Sequence, residues 1–299
     1  SVMTRRFRRR LNQGRKALLL GLLAASLLSV PSLAQVRTPQ ASGTTVFSNG
    51  SAVIDASNAS QGYVMVKYSG GTSRIKVRIS KGTEYTYDLN TAGNYEVFPL
   101  TEGSGTYTIK VFQQVQGTSY AQVMSQTVTA NIGYSQSPFL YPNQFCNFNA
   151  NSAVVAKAAE LTGGIADPLA KVQAVYRYAI DHISYDYQKA ASVQSGYLPV
   201  PDATLASGKG ICFDYAAVMT SMLRSQDIPT KLVIGYTGGT YHAWVSVYLS
   251  GQGWVDNIIY FDGTNWRYMD PTFASSGKGD ASVSNYISNQ SNYQAKFTY

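Results

Sequence analysis

The feature that most constrains this chain is a change of hydrophobic period near residue 150. Before it, apolar residues alternate. In "RIKVRIS", Ile75, Val77 and Ile79 share one face, and Lys76 and Arg78 share the other. In "TYTIKVF", Tyr107, Ile109 and Val111 alternate with Thr108 and Lys110. Successive strand residues point to opposite faces, so such runs describe half-buried strands. "YVMVKY", "TEYTYDL", "NYEVFPL" and "AQVMSQTVTANI" behave alike, and "SGGTS", "TAGN" and "EGSG" supply turns between them. Seven or eight short strands at this spacing predict an all-β, immunoglobulin-like sandwich over residues 51–132.

After residue 150 the period becomes helical. Residues 133–151, with two prolines and several aromatics, read as an ordered connector. Ser152 can cap a helix "AVVAKAAELT" that stops at Gly163-Gly164, and Asp167-Pro168 can open a second. A third begins near Cys212 and ends at Ile228-Pro229, with Val218, Met219, Met222 and Leu223 as its buried stripe. The strands "KLVIGY", "HAWVSVYL" and "WVDNIIYF" follow. Residues 152–299 are thus an α+β domain, helices first and an antiparallel sheet after.

The charge balance depends on where one looks. Seven of the 24 basic residues lie in residues 1–34, which contain no acid, leaving 17 basic against 16 acidic residues in the remainder. Such a balance argues against nucleic acid or an anionic membrane as partner. Residues 1–34 read as a signal peptide: a basic start, the 14-residue apolar run "ALLLGLLAASLLSV", and small residues before a cut after Ala34. Fourteen apolar residues fall short of the roughly 20 a bilayer span needs, so no stable membrane span is expected after cleavage. Residues 35–50 read as a linker. The expected location is secreted, extracellular or associated with the cell wall.

Only two cysteines occur, Cys146 and Cys212. Cys212 falls at a predicted helix N-terminus, where unpaired amides and the positive end of the dipole favour thiolate. The glycines of "GKGIC" allow close backbone approach and room for a substrate chain. A cysteine nucleophile needs a base, and the base needs an orienting group. Of the two histidines, His182 sits at a helix end and reads as solvated or C-capping. His242 opens the strand "HAWVSVY" and reads as the base. For the carboxylate, Asp270 before Pro271 is preferred. Asp262 competes with it, though "FDG" suits a hairpin turn, and so does Asp256, which also reads as a solvent-facing strand residue. Asp214, two residues after the cysteine, reads as a first-turn residue favouring the helix dipole. Cys146 reads as a free buried thiol, or as half of a resting disulfide with Cys212. Neither a zinc spacing nor a carboxylate-rich calcium loop is present, so no metal and no cofactor are expected.

Three separated stretches, "GKGICFDYAAVMTSMLRSQDIPTKLVIGY", "YHAWVSVYL" and "GWVDNIIYFDGTNWRYMDPTF", resemble the transglutaminase-like core over roughly residues 153–274. The whole arrangement resembles exported transglutaminase-like proteins of Gram-positive bacteria. The resemblance implies a papain-like core with Cys212 as nucleophile, His242 as base and acid, and Asp270 as orienting carboxylate. It also implies a thioester formed on a protein or peptide amide and resolved by water or by an amine. Family enzymes often add a side-chain donor to the oxyanion site. No tryptophan precedes Cys212, which leaves Tyr185 or Tyr187 for that role, and Trp244 as a shield for His242. The rival class is an adhesion or wall-binding protein that uses the sandwich and keeps a catalytically spent core.

Overall fold

The computed structural model describes residues 36–71, 73–237, 240–262, 264–269 and 294–299. Within it, the alternating segments form two four-stranded antiparallel sheets. The first comprises β1 (Val46–Asn49), β2 (Ala52–Asp55), β3 (Tyr63–Tyr68) and β6 (Glu96–Pro99), in the order β1-β2-β3-β6. The second comprises β4 (Ile75–Lys81), β5 (Thr83–Leu89), β7 (Gly105–Gln116) and β8 (Ser119–Ala130), in the order β5-β4-β7-β8. The predicted alternation sets the burial: Ile75, Val77 and Ile79 are inside while Lys76 and Arg78 are half-buried. Ile54, Val64 and Val66 of the first sheet share a core with Ile109 and Val111 of the second. Each such side chain contributes roughly 1.5–3 kcal/mol on burial.

The stretch read as a linker takes part in this fold. Val46–Asn49 pairs with β2, the Gly43 amide donates to Asp55 Oδ2 at 2.9 Å, and the Thr45 amide donates to Ser57 Oγ at 3.0 Å. The strand is only four residues long, with Val46 and Phe47 adjacent and then Ser48 and Asn49, so it shows no alternation that periodicity could detect.

The second half holds five helices among the described residues: α1 (Ala153–Thr162), α2 (Pro168–His182), α3 (Tyr187–Ser192), α4 (Pro201–Ser207) and α5 (Cys212–Ser225). Asp167 caps α2 by accepting from the Ala170 amide at 3.2 Å, with Pro168 at its first position. Helix α5 is central, and every residue from Asp214 to Ser225 is buried. A helix enclosed on all sides cannot be amphipathic. This one runs apolar, with small residues such as Ala216, Ala217 and Ser221 where neighbours come close. It packs on α1, α2, α4, β11 (Thr230–Thr237) and β12 (Thr240–Leu249).

An antiparallel sheet backs the helix in the order β14-β13-β12-β11-β15, with β13 Gly253–Phe261, β14 Trp266–Tyr268 and β15 Gln294–Thr298. A small parallel pair joins β9 (Ser184–Tyr185) to β10 (Lys209–Gly210). The β15 strand closes one edge, and the Tyr299 and Leu232 amides exchange bonds with each other's carbonyls at 2.9 and 3.0 Å. It also reaches the first half. The Tyr299 ring lies 4.2 Å from Phe145, 5.8 Å from Tyr85 and 6.0 Å from Tyr87, and the Thr298 amide donates to the Tyr85 hydroxyl at 3.2 Å. No helix among the described residues is long and apolar enough to cross a membrane.

Candidate active site

The cysteine is fixed by the turn that precedes it. Gly208 ends α4 in the left-handed region, at φ +66°, which favours glycine. Gly210 has a different reason: a Cβ there would lie 2.7 Å from the Asp214 Cβ. The space beside Gly210 is therefore occupied by the chain itself. Residues 208–210 lie along the segment after α2: the Ser184 amide donates to Gly208 O at 2.8 Å and the Asp186 amide to Gly210 O at 2.9 Å. That pairing sets Tyr185 level with Gly210, two residues before Cys212.

Cys212 stands at the first position of α5 and is partly exposed. Its sulfur meets the amides of Phe213 and of Cys212 itself, and that of Ala243 on β12. The Ala243 contact places the sulfur beside the residue that follows His242. Burial pushes the thiol up to about 11, and the neighbouring Asp214 charge adds to this, against the amides that lower it. The helix terminus alone would favour thiolate, but desolvation outweighs it.

His242 is 5% exposed and pairs across β11 with Gly235. Its ring lies 5.7 Å from Phe261 and 6.1 Å from Trp244. Burial pulls its pKa below the ordinary value, and the Asp262 charge opposes that shift. Cysteine and histidine thus rest in their neutral forms. Among the described residues, Nδ1 of His242 has no hydrogen-bond partner. Trp244 is fully buried, on the same strand face, which makes it part of the wall behind the histidine.

The carboxylates separate clearly. Asp256 is exposed on β13. Asp270 lies outside the described residues. Asp262 follows the last residue of β13, whose ladder with β12 sets Trp244 opposite Tyr260, so two steps further along His242 comes level with Asp262. Asp262 also accepts from the Thr264 and Asn265 amides at 2.9 and 2.7 Å and from Arg267 Nε at 2.8 Å. Burial works against its charge, but these bonds leave its pKa lowered. The hairpin-turn role read from "FDG" is present, and the same carboxylate exerts its field on His242. This second role follows from the register of β12 on β13 and has no local sequence signal.

Of the two tyrosines, Tyr187 is 73% exposed, with its ring 4.9 Å from Tyr185. Tyr185 is half-buried, and its hydroxyl oxygen meets the Cys212 amide. Burial, and then the nearby Cys212 sulfur, raise its pKa to about 12. Its ring stacks on Phe261 at 5.4 Å and 2°, and Phe261 also lies 5.7 Å from the His242 ring. His182 is exposed, caps its own helix through the Tyr178 carbonyl at 3.1 Å, and stacks on Tyr178. A groove of about 630 Å³, bordered by Arg37, Tyr95, Gln144 and Asp202 among others, includes neither Cys212 nor His242.

Cys146 is fully buried, and both cysteines are free. Its Sγ accepts from Arg224 Nη1 at 3.1 Å. Arg224 is twelve residues along α5 from Cys212, or about 18 Å at the helical rise, so this fold holds the two sulfurs too far apart for a disulfide. Among the described residues no group of three or more metal-ligating side chains occurs.

A cysteine opens a buried helix next to the strand that carries His242, an arrangement compatible with cysteine-based chemistry. Residues 155–271 match the family model of the transglutaminase-like superfamily, and the fold is of that papain-like type, with mixed α/β content and several β-sheets. The chain is 26% identical over 211 residues to protein YebA of Bacillus subtilis, covering 64% of this chain and 26% of that protein. It is 30% identical over 122 residues to the protein-glutamine gamma-glutamyltransferase of Pseudomonas aeruginosa, covering 36% and 18%. The chain therefore spans about a quarter or less of the length of these relatives. Among solved structures, a candidate cysteine protease from Cytophaga hutchinsonii aligns at 18% identity and TM-score 0.36, over 65% of this chain and 67% of that one.

Proposed function

We propose that the protein is an exported cysteine acyltransferase or peptidase that acts on protein or peptide amides through a thioester on Cys212. The observation that carries this reading is the seat of the Cys212 sulfur, partly exposed at the start of α5 and against the amide beside His242. With both groups neutral at rest, His242 takes the thiol proton as the sulfur bonds to the carbonyl carbon. The carbonyl π electrons move to oxygen, where the Cys212 amide and the Tyr185 hydroxyl can donate. A tyrosine whose pKa is raised to about 12 keeps its proton at neutral pH, as a donor must. Collapse expels the amine, which takes the proton from His242, and leaves the thioester. Water then gives hydrolysis; a second amine gives transamidation.

The orienting carboxylate is proposed as Asp270 from the sequence, and Asp262 from its field on His242. Asp262→Asn and Asp270→Asn, made separately, distinguish them by which one abolishes turnover and leaves a folded protein. Supporting the general reading are the transglutaminase-like match over residues 155–271 and the transglutaminase relative. Secretion or wall association rests on the leader sequence, and an immunoglobulin-like kinship of the first half rests on its strand pattern.

The experiment is amine incorporation and peptide release by the mature protein, with and without Cys212→Ala, together with iodoacetamide labelling and mass mapping. Turnover that vanishes in Cys212→Ala supports the proposal. An absence of amine incorporation and peptide release in the wild type, matching Cys212→Ala, would favour the adhesion reading.

A further inference from the structure

One buried charge next to the nucleophile has no part in the chemistry above. Asp214, two residues after Cys212, is fully buried. Its carboxylate accepts from the Ile211 amide at 2.9 Å, from Lys189 Nζ at 2.8 Å, and from the Tyr197 hydroxyl. Lys189 lies on α3, whose N-terminus Asp186 caps by accepting from the Lys189 amide at 3.1 Å. Tyr197 lies in the loop that follows, with its ring 4.5 Å from the Lys189 ammonium. One carboxylate thus fastens residues 186–197 to the start of α5 at two points. That segment continues directly from Tyr185.

The charged and titratable groups around the sulfur are few. Tyr185 approaches from β9, and on β12 the sulfur meets the amide of Ala243, the residue after His242. Asp214 faces it from its own helix, and Lys189 and Tyr197 reach it through Asp214. Asp262 acts on His242. Among the described residues Lys189 is the one cation in this set. A buried carboxylate without a cation is costly, and its field would oppose any thiolate nearby. Burial works against the charge of Lys189, yet its bonds to Asp214 and Tyr197 leave its pKa raised.

We infer that Lys189 is a positioning residue for the nucleophile. Its ammonium balances the Asp214 carboxylate beside Cys212 and, with Tyr197, pins the segment that follows the oxyanion tyrosine onto the nucleophile helix. This rests on reading Cys212 as the reactive thiol.

The test is the rate of Cys212 alkylation by iodoacetamide against pH, followed by mass mapping, on the full chain. Lys189→Met leaves the carboxylate unbalanced and should move the profile up by about half a pH unit or more, making labelling at pH 8 about threefold slower. Asp214→Asn removes the negative charge, leaves the ammonium, and should move the profile down. Lys189→Arg should restore the wild-type profile. Tyr197→Phe removes a bond but no charge and should leave the midpoint in place. A role in packing alone would move Lys189→Met and Asp214→Asn in the same direction, or move Tyr197→Phe as far as Lys189→Met, and either result overturns the inference. So does a Lys189→Met profile equal to wild type. If Asp214→Asn does not fold, the contrast between Lys189→Met and Lys189→Arg decides. A wild-type protein that shows neither amine incorporation nor peptide release would instead overturn the catalytic reading on which the inference stands.

Discussion

The two ends of α5 each hold a cysteine, and they treat it differently. At the first end the Cys212 sulfur is partly exposed and lies against backbone amides, one of them next to His242, with the Tyr185 hydroxyl nearby. At the other, Cys146 is sealed beneath Arg224, whose Nη1 also donates to Tyr141 O at 2.7 Å. The rest of that guanidinium serves Thr230 O at 3.0 and 2.7 Å and Tyr299 O at 2.7 Å. Burial raises both thiols, and in Cys146 the Arg224 charge pulls the other way. A shifted thiol pKa therefore does not mark the reactive cysteine. What separates the two is access: Cys212 is partly exposed and Cys146 is buried. The carboxylate and the guanidinium near the two ends are also placed as the helix dipole favours, Asp214 in the first turn and Arg224 in the last.

The contrast can be broken most sharply by removing each thiol. Cys212→Ala should reduce acyl transfer by about 10³-fold or more with an unchanged melting temperature. Cys146→Ala should leave the rate within about twofold and cost roughly 1–3 kcal/mol in urea unfolding, by emptying the space under Arg224 and removing one of its acceptors.

Arg224→Met tests the structural end directly. It leaves the carbonyls of Tyr141, Thr230 and Tyr299 without this donor inside the protein. A loss of about 3–5 kcal/mol is expected by urea titration. The alkylation rate of Cys212 in the folded fraction should not change. A fall in Cys212 reactivity equal to the fall in stability would erase the distinction between the two ends.

Tyr185→Phe sharpens the chemical end. Loss of one oxyanion donor should lower kcat by about 10²-fold with a much smaller change in KM, read by steady-state kinetics.

The smallest effect concerns pH. The folded pKa of His242 lies below its unfolded value. As pH falls through about 6.5, the unfolded chain takes up the proton first, so stability is lost on acidification below that point. Thermal melts at pH 7.5 and 5.5 should show a decline in the wild type that is reduced in His242→Gln.

What the sequence made legible was local. Period two marked the sheets, and Gly163-Gly164 and Asp167-Pro168 marked helix boundaries, while the helix Pro201–Ser207 lay hidden in a stretch that reads as a loop. The cysteine at a helix start and the histidine in a strand were also legible, and the structure places each so. What it hid was long-range. Lys189 and Asp214 are 25 residues apart, Cys146 and Arg224 78, and no spacing rule links either pair. Asp214 read as a dipole residue because its neighbours in sequence gave no sign of burial. Asp262 was legible as a turn residue, and its reach to His242 emerged only from the register of β12 on β13. The "linker" strand β1 escaped because four residues, two apolar and then two polar, carry no alternation.

The aromatic cluster of Tyr85, Tyr87, Phe145 and Tyr299 has a further consequence for modularity. It belongs to neither half alone: two rings come from β5, one from the connector, and one follows the strand that closes the catalytic sheet. A chain severed within residues 133–151 would leave each piece with an apolar face shaped for the other. Recombination that grafts this core onto a different front module must therefore supply a substitute for those rings. The two-sheet half is less an interchangeable attachment than a fitted cover for the end of the catalytic sheet.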